Sequence, residues 1–117
     1  MRAKKDLGQK GELKAVEYLK NHGYQIISRN ETTPYGEIDI IAIENNELVI
    51  VEVKTRTSTF FGRPLEAVNH KKLTHLTNAA EFYQQKHPNL PEAIRIDVVE
   101  VFAGDEFKIN LITRIDQ

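Results

Sequence analysis

The stretch Gly36-Glu-Ile-Asp-Ile-Ile-Ala-Ile-Glu-Asn-Asn-Glu-Leu-Val-Ile-Val-Glu-Val-Lys54 decides the fold of this chain. Two runs rich in isoleucine and valine, residues 37–43 and 48–54, flank a polar segment centred on Asn45 and Asn46. Branched aliphatic residues favour strands, and asparagine tolerates the positive φ angles of a tight turn. The stretch therefore predicts a β-hairpin that turns on these two asparagines.

A two-residue turn also predicts which residues face each other across the hairpin. Facing residues then lie at equal distances along the chain from the turn residues Asn45 and Asn46. This rule pairs Ile41 with Ile50 and Asp39 with Glu52. Directly opposed side chains have Cβ atoms roughly 4.5–5.5 Å apart. Two carboxylates at that separation repel unless a proton or a cation intervenes, so we expect this pair to bind a divalent cation.

Lys54 follows Glu52 by two residues, and alternation along a strand places both side chains on one face with Asp39. An ammonium group there could orient an attacking water or neutralise charge that grows on a phosphoryl group. Glu37 lies opposite Lys54 in the same register, and for Glu37 we predict an ion pair with Lys54 rather than a metal ligand.

The residue types in this predicted site favour Mg²⁺ or Mn²⁺. The chain has no cysteine, which excludes disulfides and zinc–thiolate sites, and hard cations prefer carboxylate oxygens and water. Glu12 adds a third acid, because it precedes Ala15, Val16 and Leu19 at the spacing of one helix face. An acid on the face that meets the sheet requires a partner there.

The rest of the chain alternates helical and strand patterns around this hairpin. We predict an α/β or α+β fold in one domain over residues 1–117, with a mixed central sheet of about five strands flanked by helices. Helices are predicted from Asp6 to about Asn21, ended by Gly23, and from Leu65 to near His87. Further strands are predicted at Tyr24–Ser28, Ile94–Phe102 and Phe107–Ile115, with a loop at Asn30–Gly36.

Composition limits the classes of partner. Sixteen Lys and Arg against 17 Asp and Glu give a formal net charge of -1, so any contact with nucleic acid must come from local patches. The basic N-terminus lacks the apolar core of a signal peptide, and we find no stretch that could span a bilayer. These patterns predict a soluble, cytoplasmic protein without a membrane partner.

Three motifs, in this order, resemble the uncharacterised YraN-like proteins: Gly8-Gln-Lys-Gly-Glu12, Gly36-Glu-Ile-Asp-Ile-Ile41 and Val51-Glu-Val-Lys-Thr-Arg56. Phe61-Gly-Arg-Pro64, Glu66-Ala-Val68 and Ile96-Asp-Val-Val99 extend the resemblance over nearly the whole chain. That family is similar to archaeal Holliday-junction resolvases and to nucleases of the restriction-endonuclease-like, PD-(D/E)XK, fold.

The resemblance implies a role for each matching residue. Asp39 and Glu52 would be metal ligands, Glu12 an outer or direct ligand, and Lys54 the catalytic lysine. One departure is that Ile38 stands where the broader pattern has proline before the metal-binding aspartate. The implied activity is metal-dependent endonuclease cleavage of DNA, with branched or structured DNA favoured by analogy.

Other readings of the same residues stay open. The chain could instead be a nucleic-acid-binding or assembly module of this fold with weak or lost catalysis. In a third hypothesis the acids bind a structural cation, and the protein is an interaction protein without nucleic-acid contact. Lys10, Arg56 and Lys72 are the candidates for phosphate contacts. Phe60 and Phe61 suit an oligomer interface better than base stacking, and a homodimer is expected because cutting two strands takes two sites.

Overall fold

The computed structural model describes residues 2–57 and 69–116 of the chain. Two helices and five strands make up this part, and four of them line the cleft described below. In chain order they are α1 (Arg2–Asn21), β1 (Gln25–Thr33), β2 (Gly36–Glu44), β3 (Glu47–Arg56), α2 (His70–Lys86), β4 (Ile94–Phe102) and β5 (Lys108–Ile112).

The five strands form one mixed sheet in the order β1-β2-β3-β4-β5. Strand β3 runs parallel to β4, and every other neighbouring pair is antiparallel. A parallel pair needs a crossover connection, and the chain between β3 and β4 contains α2. The predicted α+β class with a mixed sheet of about five strands between helices is therefore confirmed.

Each face of the sheet packs against one helix, so the strands present apolar side chains on both faces. Ala15 and Leu19 of α1 lie in one buried cluster with sheet residues that include Ile40 and Val51. Leu76 and Tyr83 of α2 belong to a second cluster on the opposite face. This three-layer arrangement explains why the three central strands, β2, β3 and β4, are rich in isoleucine and valine.

The central hairpin has the predicted turn and register. Asn45 and Asn46 have φ angles of 53° and 59°, which suits the mirror-image turns that match strand twist. Ile41 pairs with Ile50, and Ile43 pairs with Leu48. The sequence prediction of this register is confirmed between Ile40 and Glu44.

Several predicted boundaries differ from the structure. The first strand continues to Thr33, because β1 stays paired with β2 through most of the predicted loop. Helix α1 begins at Arg2, ahead of the predicted Asp6. The last strand ends at Ile112, where the chain leaves the sheet before Arg114, whose φ is 55°. Gly23 has a φ of 88°, as its predicted role as a helix stop requires.

The predicted start of the second helix at Leu65 and the predicted roles of Phe60 and Phe61 lie outside the described residues. Within them, α2 begins after Asn69, whose side chain accepts a 2.8 Å hydrogen bond from the backbone N–H of Lys72. This is an ordinary N-cap for a helix start. Neither helix in the described part of the chain is long and apolar enough to cross a membrane.

A buried ionic cluster joins β4 to the turn end of the central hairpin. The guanidinium of Arg95, 3% exposed, donates to Glu44 and Glu47 at 2.7 Å each and to the fully buried Asp97 at 3.2 Å. Tyr24 donates a further 2.8 Å bond to Asp97. Because the bonds to Glu44 and Glu47 cross from β4 to the hairpin, we expect this cluster to favour the observed alignment of β3 with β4.

Candidate active site

The two strands of the hairpin change their hydrogen bonding where the predicted acids lie. The last residue pair of the β2–β3 ladder is Ile40 with Val51. The backbone N–H of Val53 then donates to Oδ2 of Asp39 at 2.9 Å, so a side chain accepts the next bond from β3. Asp39 is thereby held beside the backbone of β3, close to Glu52.

Asp39 does not follow the strict alternation that the sequence predicts. Ile38 and Ile41 both belong to the cluster beneath α2, and Asp39 lines a cleft with Val53 and Thr55, which alternation assigns to the other face. Asn30, opposite Asp39 between the pairs Arg29–Ile40 and Glu31–Ile38, has a left-handed φ of 54°. The backbone of β1 is thus irregular at Asn30, directly opposite the point where Asp39 departs from strand alternation.

The carboxyl group of Glu52 is nevertheless near enough to Asp39 to act on its pKa. Burial raises the pKa of Asp39 to about 7, and the Val53 N–H opposes this shift without cancelling it. The negative charge of Glu52 and, more weakly, that of Glu12 contribute to this rise. Near neutral pH a proton on Asp39 therefore relieves the repulsion between the acids, and a cation could relieve it in the same way.

Glu52 is balanced by two lysines. Its side chain is 4% exposed, and its Oε2 lies 3.1 Å from the Lys54 ammonium and 3.3 Å from that of Lys72. The sequence predicted an ion pair between Lys54 and Glu37, and this is corrected, because Lys54 Nζ lies on Glu52 and Glu37 is exposed. The adjacent acid on the same strand face offers a buried, stronger partner than an exposed one across the hairpin.

Glu12 reaches the same region from α1. It lines the cleft, which has a volume of about 680 Å³, together with Asp39 and Arg29. Arg29 Nη2 lies 3.0 Å from Glu12 Oε1, so the partner that this acid required is a cation of β1. Glu12 is therefore near Asp39 but paired with Arg29, and its predicted part in metal binding stays a prediction.

Close packing of α1 on β3 sets the position of Glu12. Gly11 is buried, and a Cβ added there would overlap the side chain of Thr55. Glycine lets the helix approach the strand at this point, one residue before Glu12. The Gly-x-x-Gly-Glu motif thus combines a packing residue with a cleft residue.

The three predicted phosphate-binding residues have different surroundings. Lys10 is exposed on α1, outside the cleft lining. Arg56 Nη2 lies 3.6 Å from Oε2 of Glu100, a buried acid of β4 that also accepts a 3.1 Å bond from Asn110. Lys72 lies on Glu52. Their contacts with nucleic acid stay predictions.

The residues present supply the type of donor atom that a hard divalent cation prefers, but few of them. Asp39 and Glu52 are two neighbouring oxygen donors, which suits Mg²⁺ or Mn²⁺ with water and substrate oxygens completing the coordination. Within residues 2–57 and 69–116, no group of three or more acidic or histidine side chains is arranged to hold a metal. The fit is therefore to a two-carboxylate site.

Two residues of the site escaped the sequence prediction. Arg29 and Glu100 lie on strands whose pairing with β2 and β3 brings them to the acids and to Arg56. Glu12 gave the only available signal, since an acid on a core-facing helix stripe requires a cation nearby. Which cation supplies it depends on the pairing of β1 with β2, which sequence spacing does not give.

Comparison with known proteins identifies relatives that match this chain over most of its length. A protein of Persephonella marina is 43% identical over 103 residues, covering 88% of this chain and 89% of its own length. One from Caldicellulosiruptor saccharolyticus is 47% identical over 112 residues, covering 93% and 95%. Both are named UPF0102 protein. Residues 11–101 match the sequence profile described as "Uncharacterised protein family UPF0102". The resemblance to YraN-like proteins is thereby confirmed, and the chain belongs to the uncharacterised protein family UPF0102.

Proposed function

We propose that this protein is a metal-dependent endonuclease that hydrolyses phosphodiester bonds in DNA. The observation that carries the proposal is the position of Asp39, which is held by the Val53 N–H in an open cleft and senses the charge of Glu52, itself 3.1 Å from the Lys54 ammonium. Paired acids next to a lysine are costly to bury unless they bind a charged partner.

Asp39 and Glu52 would hold Mg²⁺ or Mn²⁺, which would act as a Lewis acid toward a phosphate oxygen and lower the pKa of water. The residues of the chain then divide the remaining work. Asp39 gives up its proton near neutral pH, which its pKa of about 7 allows. Lys54 lies 3.1 Å from Glu52 and can orient the attacking water or stabilise charge on the phosphoryl oxygens.

The reaction consumes one water for each bond cut. The water oxygen forms a bond to phosphorus, one ester P–O bond breaks, and the departing oxygen takes up a proton to become a hydroxyl. Branched or structured DNA is the proposed substrate class by analogy with the resolvases. Since two strands require two cuts, we propose a symmetric homodimer as the active form.

One observation favours the second candidate, a nucleic-acid-binding or assembly module of the same fold. Lys54 and Lys72 already neutralise Glu52, so this part of the site is electrostatically balanced with protein groups alone. A cation would have to compete with at least one of these lysines. Such a site could persist without catalysis.

Cleavage of labelled linear, single-stranded, flap and four-way DNA separates the two candidates. Wild type is compared in Mg²⁺, Mn²⁺ and EDTA with Asp39→Asn, Lys54→Met and Glu37→Gln, the last removing an exposed acid from the same strand. We expect metal-dependent cleavage that is lost in the first two variants and kept in Glu37→Gln. Cleavage that persists in Asp39→Asn contradicts the proposal, and DNA binding without cleavage by wild type favours the second candidate.

A further inference from the structure

The ion pair between Arg29 and Glu12 lies in the wall of the cleft, beside Asp39. Its two members differ in exposure: the Arg29 side chain is 37% exposed and that of Glu12 is 15% exposed. The bond to Glu12 uses Nη2 of the guanidinium, and Arg29 lines the cleft. The cation is therefore reachable by a ligand that enters the cleft, while the acid lies deeper.

A phosphate group is a strong competitor for this cation. Guanidinium groups bind phosphate through two parallel N–H bonds, and such charge-assisted pairs are stronger than a single bond to a carboxylate. The chain has a formal net charge of -1, so a polyanion must rely on local cations of this kind. The cleft wall from α1 and β1 otherwise contains Gly8, Gln9, Leu13 and Asn30, which are uncharged.

We propose that Arg29 binds a phosphate of the nucleic acid and that this contact releases Glu12 from its ion pair, so that Glu12 can join Asp39 in holding the metal. This inference rests on the proposed function. It assigns Arg29 as a substrate-binding residue and makes Glu12 a ligand only when substrate is present.

The consequence is a coupling between the two ligands of the site. While Arg29 holds Glu12, the cation meets two carboxylates, and a phosphate on Arg29 makes the third acid available. Binding of DNA then strengthens binding of the metal, and by linkage the metal strengthens binding of DNA by the same factor. Full assembly of the metal site would thus require substrate in the cleft.

DNA binding tests the first half of the proposal. Affinity for a fluorescein-labelled duplex is measured by anisotropy in EDTA over a series of salt concentrations. Arg29→Met is compared with Lys20→Met, which removes one positive charge from an exposed position at the far end of α1. We expect Arg29→Met alone to weaken binding and to reduce the salt slope by about 0.9, the value for one phosphate contact. Arg29→Lys should recover part of the affinity.

Metal binding tests the second half without any cleavage. Titration of DNA-free protein with Mn²⁺ is expected to show about fivefold tighter binding in Arg29→Met than in wild type, because Glu12 is no longer paired. In a Glu12→Gln background the same substitution should have no effect. If the ion pair only holds α1 against β1, Arg29→Met should not increase metal affinity. If metal affinity increases only because one positive charge is lost, the increase should also occur in the Glu12→Gln background.

Equal DNA affinity of Arg29→Met and Lys20→Met overturns the inference, and so does a Mn²⁺ effect that does not depend on Glu12. Both measurements are independent of turnover. If cleavage is intact but Arg29→Met shows neither the loss of DNA affinity nor the Glu12-dependent gain in Mn²⁺ affinity, only this inference is refuted. If both effects are seen but DNA is not cleaved, only the catalytic proposal is refuted.

Discussion

The backbone N–H of Val53 donates a 2.9 Å hydrogen bond to Oδ2 of Asp39, which holds this carboxyl at the point where the β2–β3 ladder ends. The bond favours the ionised acid, yet burial and the neighbouring Glu52 outweigh it and raise the pKa of Asp39 to about 7. Asp39 therefore has a fixed position and a protonation state that changes near neutral pH.

Metal affinity should depend on pH because of this proton. A cation can bind Asp39 only after the proton leaves, so we expect Mn²⁺ affinity to fall about tenfold for each pH unit below 7 and to level off above it. Calorimetric titration in two buffers of different ionisation enthalpy measures the proton released. Affinity that is constant from pH 5.5 to 8.5 would show that Asp39 is not a ligand.

Folding stability without metal should show the opposite dependence on pH. The folded-state pKa of Asp39 is raised from 3.8 to about 7, so between these values the unfolded chain binds fewer protons than the folded chain. Stability therefore falls as pH rises through this window and is flat on either side. We expect urea denaturation in EDTA to show this decline in wild type relative to Asp39→Asn.

Glu37→Gln serves as the control for that comparison, since it removes an exposed acid two residues earlier in β2. It should keep the decline. A wild-type profile parallel to that of Asp39→Asn would mean that Asp39 is ionised at pH 5 in the folded protein.

Lys54 and Lys72 flank the same oxygen of Glu52 and can be compared directly. If Lys54 acts on the reacting phosphate, Lys54→Met should lower the cleavage rate about 10²–10³-fold, the usual effect of removing one preorganised charge. Lys72→Met should cost much less. Equal losses of single-turnover rate in the two variants would reduce Lys54 to a neutralising partner of Glu52.

Gly11 and Gly8 should respond to alanine in opposite directions, although both lie in α1. Alanine favours helix by about 0.5–1 kcal/mol, and a Cβ at Gly8 meets nothing within 4 Å, so Gly8→Ala should stabilise the protein. At Gly11 the added Cβ overlaps Thr55, and we expect a loss of about 1–3 kcal/mol. Urea denaturation of both variants checks this, and equal stabilisation would show that α1 does not pack closely on β3.

Arg95 is expected to be the most sensitive cation outside the site. Arg95→Met leaves the fully buried Asp97 without its guanidinium, and removal of one partner of a buried ion pair costs about 3–5 kcal/mol. Arg114→Met, which removes an exposed cation from Glu47, should have little effect. Chemical denaturation measures both. A small effect of Arg95→Met would mean that water enters the cluster.

The sequence by itself determined the turn and register of the central hairpin, which contains two of the acids. Two asparagines that tolerate positive φ angles sit between two branched aliphatic runs, and local backbone preference is enough to set the turn and its register. The helix stop at Gly23 and the strand Ile94–Phe102 followed from the same local rules. Asp39, Glu52 and Lys54 could be grouped because they lie within one hairpin.

Only the tertiary structure decided the partners that come from distant elements. Arg29 reaches Glu12 because β1 pairs with β2 beneath α1, Lys72 reaches Glu52 because α2 packs on the other face, and Glu100 reaches Arg56 through the parallel strand β4. It also decided that Asp39 lines the cleft, where strict alternation had assigned it to the opposite face. The physical reason is that ion pairing depends on distances of 3–4 Å, and such distances between elements arise only when the helices pack and the strands align.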